Sequence, residues 1–201
     1  MKIFLAKNNK GFSLIEMLVV VAVFATITSI VANIYLSTSR SERYLLNSER
    51  VQAELRYATE IISKEVENSN IDYSYYGGEI VPDPLDFSIS VLALIDSDMN
   101  QTIFRKSSTD CPDGTTQCLQ MIKSGWPSWK NITPEGVDVS VFKFLVHPNK
   151  DPFLLNASGN YDFNVQPAVT IRCTMENVTS NPAEKISIDF QTTVSSRIYK
   201  R

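Results

Sequence analysis

Imidazole and thiol chemistry are scarce in this chain. Its 201 residues hold one histidine, His147, and three cysteines, Cys111, Cys118 and Cys173. That leaves little for an acid–base or nucleophilic relay, and neither a Gly-x-Ser-x-Gly elbow nor a glycine-rich phosphate loop is present. No cysteine pair has Cys-x-x-Cys spacing, and His147 closes a β-type run at Leu145-Val146-His147-Pro148, so a zinc ligand set is not expected. The reading is therefore not an enzyme, with no metal and no cofactor. Positive charge is also short. Nineteen Lys and Arg stand against 22 Asp and Glu, for a formal charge of −3. Nucleic acid as a partner finds no support in that balance, since duplex DNA needs clustered Lys and Arg. Proline is missing before Pro82, and no Pro/Gly/Ser linker or internal repeat marks a second domain.

What the chain has instead is a long apolar run, Met17–Leu36, close to its start. The ten residues at the N-terminus carry Lys2, Lys7 and Lys10 and no acid. The run is long enough to cross a bilayer. The leader lysines put the N-terminus on the cytoplasmic side, although Arg40 and Arg43 pull weakly the other way. The apolar core continues past Ala25 to Tyr35 without a small-residue cleavage site, which disfavours an ordinary secretory signal. Glu16 stands at the head of the run. A carboxylate there costs about 3 kcal/mol or more in lipid, so it calls for a partner. No cation lies within the run. Cleavage between Gly11 and Phe12 would create an α-amino group four residues away, on this chain and on every related neighbour.

The segment Lys10-Gly11-Phe12-Ser13-Leu14-Ile15-Glu16 joined to an apolar helix resembles the N-terminus of type IV prepilins and type II secretion pseudopilins. The resemblance covers Lys10 to about Leu36. It implies removal of a leader, residues 1–11, by a prepilin peptidase that also methylates the new N-terminus at Phe12. It further implies that Glu16 pairs with the amine of an adjacent subunit during assembly. Other pilin or pseudopilin subunits, the peptidase/methyltransferase and an inner-membrane assembly platform are the implied partners. The implied location is the inner membrane in a single pass, then a pilus or pseudopilus. Loss of the leader lysines takes the formal charge from −3 to −6. An acid-rich helix end at Ile61–Val66, a strand starting at Gly136-Val137 and a final Thr192-Thr193-Val194-Ser195-Ser196-Arg197 strand resemble the larger minor subunits. The W-type minor pilins and J-type minor pseudopilins are the nearest in kind. Major pilins often carry a proline about twenty residues into the mature helix, and this chain has Asn33 in that neighbourhood.

Beyond the membrane-length segment 12–36, residues 37–70 read as an amphipathic continuation of the same helix. Val51, Leu55, Ala58, Ile62 and Val66 form one apolar stripe with charged residues on the other faces. Asn68-Ser69-Asn70 is the expected stop. From 71 to 201 the pattern becomes β-rich. Period-two stretches occur at Phe87–Val91, Cys118–Lys123, Val137–Phe144, Val169–Met175 and Ile186–Val194, separated by Pro, Gly, Asn and Asp turns. The expected fold class is α+β: a long N-terminal helix, half membrane-spanning and half amphipathic, packed on a C-terminal antiparallel sheet of four to seven strands. About 165 residues outside the leader and membrane segment suffice for one such domain.

If the C-terminal region is extracytoplasmic, disulfides are permitted. Cys111 and Cys118 flank a Pro-Asp-Gly turn and form the favoured pair, with Cys173 buried in its strand; pairing of Cys173 stays open. Asp96-Ser97-Asp98-Met99-Asn100 begins like a calcium loop, but Gln101 and Ser107 occupy the positions of the required glycine and glutamate, so a solvated turn is preferred. Trp126-Pro127-Ser128-Trp129-Lys130 offers Trp126 and Trp129 as a candidate binding pair. The preferred alternative is that these indoles pack a loop onto the sheet.

Overall fold

The computed structural model describes residues 11–112, 114–161, 163 and 165–197. The leader lysines and Asp113 of the Pro-Asp-Gly turn lie outside the described residues. Contacts divide the chain into two units, Met1–Leu45 and Leu46–Arg201.

A single helix, α1 (Leu14–Asn68), runs through both. It starts at a Ser-x-x-Glu sequence. The Ser13 hydroxyl accepts the Glu16 N–H at 3.3 Å, which satisfies an orphan amide of the first turn. In the first unit every large apolar side chain from Phe12 to Leu36 is more than half exposed. Three hydroxyls in this stretch are occupied within the helix: Thr26 donates to the Val23 carbonyl, Thr28 to Phe24 and Ser29 to Ala25, at 2.8–2.9 Å. Such back-bonds leave no hydroxyl proton to be satisfied by solvent.

In the second unit the stripe is the buried face. Val51, Leu55, Ala58, Ile62 and Val66 are at most 3% exposed. Each branched side chain among them contributes about 1.5–3 kcal/mol by burial. They pack in one core with residues of two antiparallel sheets. The first sheet has the order β1 (Asn70–Ile71), β2 (Val91–Ile95), β3 (Gln101–Ser107), β4 (Cys118–Lys123) and β5 (Lys130–Asn131). The second is β6 (Val137–His147), β7 (Ala168–Asn177) and β8 (Ser187–Ser195), also in chain order. The fold class is the expected α+β. The strands, however, divide between sheets of five and three, where a single sheet of four to seven was expected.

Two local expectations need correction. Phe87–Val91 is not one strand, because β2 begins only at Val91. The Asp83 carboxylate accepts the Leu85 N–H and that of Asp86 accepts the Ser88 N–H, so the chain turns there, and Phe87 takes a left-handed φ of 56°. Ahead of Val91, which pairs with Arg105 in β2, only Ile89 keeps a pairing, an isolated bridge to Phe144. Alternation along β6 is also broken. A register shift between Val139 and Val141 buries Val137 and Val139, then Phe142 and Phe144, and turns Val141 away. An extra residue in one strand has that effect. The Lys106 ammonium donates to the Ser140 carbonyl at this bulge, at 2.9 Å.

Candidate functional site

The segment expected to be processed opens the described chain. Gly11, Phe12 and Glu16 are exposed. Among the described residues, a side chain added at Gly11 would meet nothing within 4 Å, so no packing against them explains a glycine there. The capping bond to Ser13 fixes the backbone at Glu16 one helical turn past Phe12. Among the described residues no cation lies within ion-pair distance of the Glu16 carboxylate. The helix that follows is long and apolar enough to cross a membrane. Among the described residues, this is an exposed Gly-Phe pair ahead of a membrane-length apolar stretch whose one acid, Glu16, has no cation beside it.

In the second unit, several long-range bonds secure α1 to the sheets. The Arg50 guanidinium donates to the Glu135 carbonyl at 2.7 Å, beside Gly136 at the start of β6. At the other end of α1, the Arg197 N–H donates to the Glu67 carbonyl at 3.0 Å and its guanidinium pairs with the Glu67 carboxylate. The Ser196 hydroxyl donates to the Ser69 carbonyl at 2.7 Å. The segment after β8 thus satisfies carbonyls at the C-terminus of α1 that the helix itself leaves unpaired. The end of the Thr192–Arg197 segment is thus bonded just past Ile61–Val66, and the strand after Gly136 begins beside Arg50.

Cys111 and Cys118 are joined in a disulfide with Cα atoms 5.5 Å apart. The loop they close is held on β6, where the Asp138 carboxylate accepts the Thr116 and Gln117 amides at 2.6 and 3.0 Å. Cys173 is free and buried on β7, opposite Phe142 and Phe190. Burial pushes its thiol up to about 12, far from thiolate chemistry.

Trp126 and Trp129 lie half-buried in the β4–β5 connection. Each has a cation on its ring: Arg105 at 3.8 Å from the Trp129 centroid, Lys130 at 4.2 Å from that of Trp126. Arg105 also donates twice to the Gln120 side-chain carbonyl, at 3.1 and 3.0 Å. These indoles are engaged within the chain, each stack contributing about 0.5–2 kcal/mol. Arg105 was not singled out from the sequence; nothing linear connects it to a tryptophan 24 positions on. Asp96 forms a hairpin turn between β2 and β3, its carboxylate accepting the Asp98 and Asn100 amides at 2.8 Å. His147 is exposed at the end of β6. Among the described residues no group of three or more His, Cys, Asp or Glu could hold a metal ion.

No curated protein and no solved structure matches this chain. A family model does match its N-terminus, the one described as the prokaryotic N-terminal methylation motif. Over residues 6–32, a stretch that includes Gly11, Phe12 and Glu16, the chain carries that motif, the mark of a type IV pilin-like precursor.

Proposed function

We propose that this chain is a minor pilin-like structural subunit. It enters the inner membrane with its N-terminus cytoplasmic, is cut after Gly11 and is N-methylated at Phe12. It then joins a type IV pilus or related filament, at assembly initiation or at the tip. The observation that carries the reading is the methylation motif over residues 6–32, leading into a helix whose large apolar side chains from Leu14 to Leu36 are more than half exposed among the described residues. Lipid, and then the helices of other subunits, would supply that burial. Glu16 would find its cation in the amine of a neighbour's Phe12. In low dielectric that attraction is weakly screened, and the bond offsets the desolvation of both groups.

The larger minor subunits, W-type or J-type, fit best. In support, the three segments of that resemblance lie at or next to bonds that tie the amphipathic half of α1 to the rest of its unit, Arg50 with Glu135, Lys123 with Glu65 and Arg197 with Glu67. Type II secretion pseudopilin is the reading kept beside type IV pilus subunit, because both share the N-terminal motif. A role in binding DNA, surfaces or a secreted substrate gains little from Trp126 and Trp129, whose rings already carry Arg105 and Lys130.

Processing is the direct test. Gly11→Val crowds the scissile site with a branched side chain, and the product should retain residues 1–11. Mass spectrometry of the membrane-extracted protein reads this, with wild type starting at a methylated Phe12. A native chain that still starts at Met1 would refute the proposal.

A further inference from the structure

We infer that β8 is a pairing edge, and that its occupant is β8 of a second copy of this chain. Among the described residues β8 bonds only to β7 and ends the three-stranded sheet. The other edges are blunted. β1 and β5 are two residues long, and β6 is bulged and bridged by Ile89. β8 has none of these protections: it runs nine residues, Ser187–Ser195, in unbroken register with β7. It contains no Pro, Gly, Lys or Arg, the residues that commonly discourage addition of a strand. Its one charge, Asp189, accepts the Thr174 hydroxyl at 2.6 Å.

Burial along the sheet points the same way. The inward row of β7, Val169, Ile171, Cys173 and Met175, is at most 1% exposed. Their register partners on β8, Val194, Thr192, Phe190 and Ile188, are only half-buried. The apolar layer therefore reaches the edge without being closed there. A further antiparallel strand would cover that row and pair the outward backbone groups together, as in strand addition generally.

The sequence of β8 says which strand fits. Placed antiparallel to itself about Gln191, it pairs all nine residues. Ser187 then meets Ser195, Ile188 meets Val194, Asp189 meets Thr193, Phe190 meets Thr192, and Gln191 meets itself. Apolar residues face apolar or threonine partners on the inward side, and the lone acid never faces its own copy. Lys185 and Arg197 come opposite each other just beyond both ends, but each is already paired, with Glu176 at 2.8 Å and Glu67 at 3.0 Å. The product is a continuous six-stranded sheet shared by two chains. A nine-residue strand pair is a small interface. Here the inference rests on the membrane-anchored reading, since confinement to one bilayer raises the effective concentration of the two edges.

Cysteine cross-linking of the full chain in membrane vesicles tests this. Gln191→Cys puts two thiols at the symmetry axis, and mild oxidation should shift it to the mass of a dimer on non-reducing gels. Ser180→Cys, exposed and off the edge, should stay monomeric. A mixture of Ser187→Cys and Ser195→Cys chains should cross-link to each other, while neither does so alone. That pattern establishes the two-fold register. A monomeric Gln191→Cys chain, or equal dimer at Ser180→Cys, overturns the pairing. The vesicle pellet reports anchoring separately: a chain left in the supernatant refutes the membrane reading, while the Gln191→Cys band still decides the edge.

Discussion

Ile62 and Ile30 lie on the same helix, are the same residue and differ in one respect, which makes Ile→Ala at each a test of what covers the two parts of α1. Ile62 is 0% exposed, and Ile30 is 59% exposed. At Ile62 the substitution removes three carbons from a packed core, about 2.4 kcal/mol at about 0.8 kcal/mol per carbon. The cavity left between α1 and the sheets brings the expected loss to about 3–4 kcal/mol. For a folded unit of this size each kcal/mol lowers Tm by roughly 2–4 °C, so the melt should fall by roughly 10 °C. At Ile30 the side chain touches detergent or lipid before and after the domain unfolds, and the shift should stay within about 1 °C. Thermal melts of the detergent-solubilised chain, followed by fluorescence of Trp126 and Trp129, read both variants without reporting on the helix directly. Equal shifts, or a larger one at Ile30, would refute the assignment of the stripe Val51–Val66 as the face that the domain buries.

Glu16→Ala removes a desolvation cost but also the charge that seeks a neighbour's amine; the subunit should insert as well as wild type and be cut normally, yet fail to enter filaments, as scored by immunoblot of sheared fibres. Asp86 is held down to about 2, first by its bond with Lys143 and then by Ser88. Its folded value thus lies below the unfolded value of about 3.9, so the stability it gives is complete above about pH 4 and is lost as pH falls towards 2. The Tm difference between wild type and Asp86→Asn should accordingly shrink over that interval in melts taken at successive pH values. Peptide mapping without reductant should recover Cys111 joined to Cys118, and Cys173 should react with iodoacetamide only after denaturation. Reduction of the bridge in the folded chain releases a loop of about eight residues, for which chain entropy gives about 2.5 kcal/mol of lost stability.

The helix was legible because its two halves obey simple patterns: apolar on all sides before Leu36, then a stripe with spacings of four and three residues. β4, β6, β7 and β8 were legible by alternation. β3 was harder to see, since of its seven residues only Ile103 and Phe104 are strongly apolar. β1 and β5 are too short for any period to register. The segment from Phe87 to Val91 misled because period two says nothing of a turn that Asp83 and Asp86 impose from their side chains. Division into two sheets was not legible either, because alternation reports which face is buried and not which strand lies alongside. At β6 the adjacency of Val141 and Phe142 was a visible sign that the inward face changes there. Contacts such as Arg50 with Glu135, Arg105 with Trp129 and Ser196 with Ser69 join residues far apart in the chain, and no local pattern encodes them.

That contrast bears on which parts of the chain act outside it. Where α1 meets the sheets, its buried apolar residues form one stripe and its charged residues find partners such as Lys123 for Glu65 and Arg197 for Glu67. Before Leu36, apolar side chains surround the helix, the Thr26, Thr28 and Ser29 hydroxyls turn back to carbonyls three or four residues earlier, and one acid is left without a cation among the described residues. A helix buried by its own domain has no need of the second arrangement. The arrangement suits a helix surrounded first by lipid and later by like helices, in which polar groups must be satisfied within the segment or by an incoming partner. Glu16 is the acid of that segment for which no described residue supplies a cation, and cleavage after Gly11 would create one on a neighbour. Processing and assembly would then be coupled by charge: until the leader is removed, no neighbour offers the amine that Glu16 lacks.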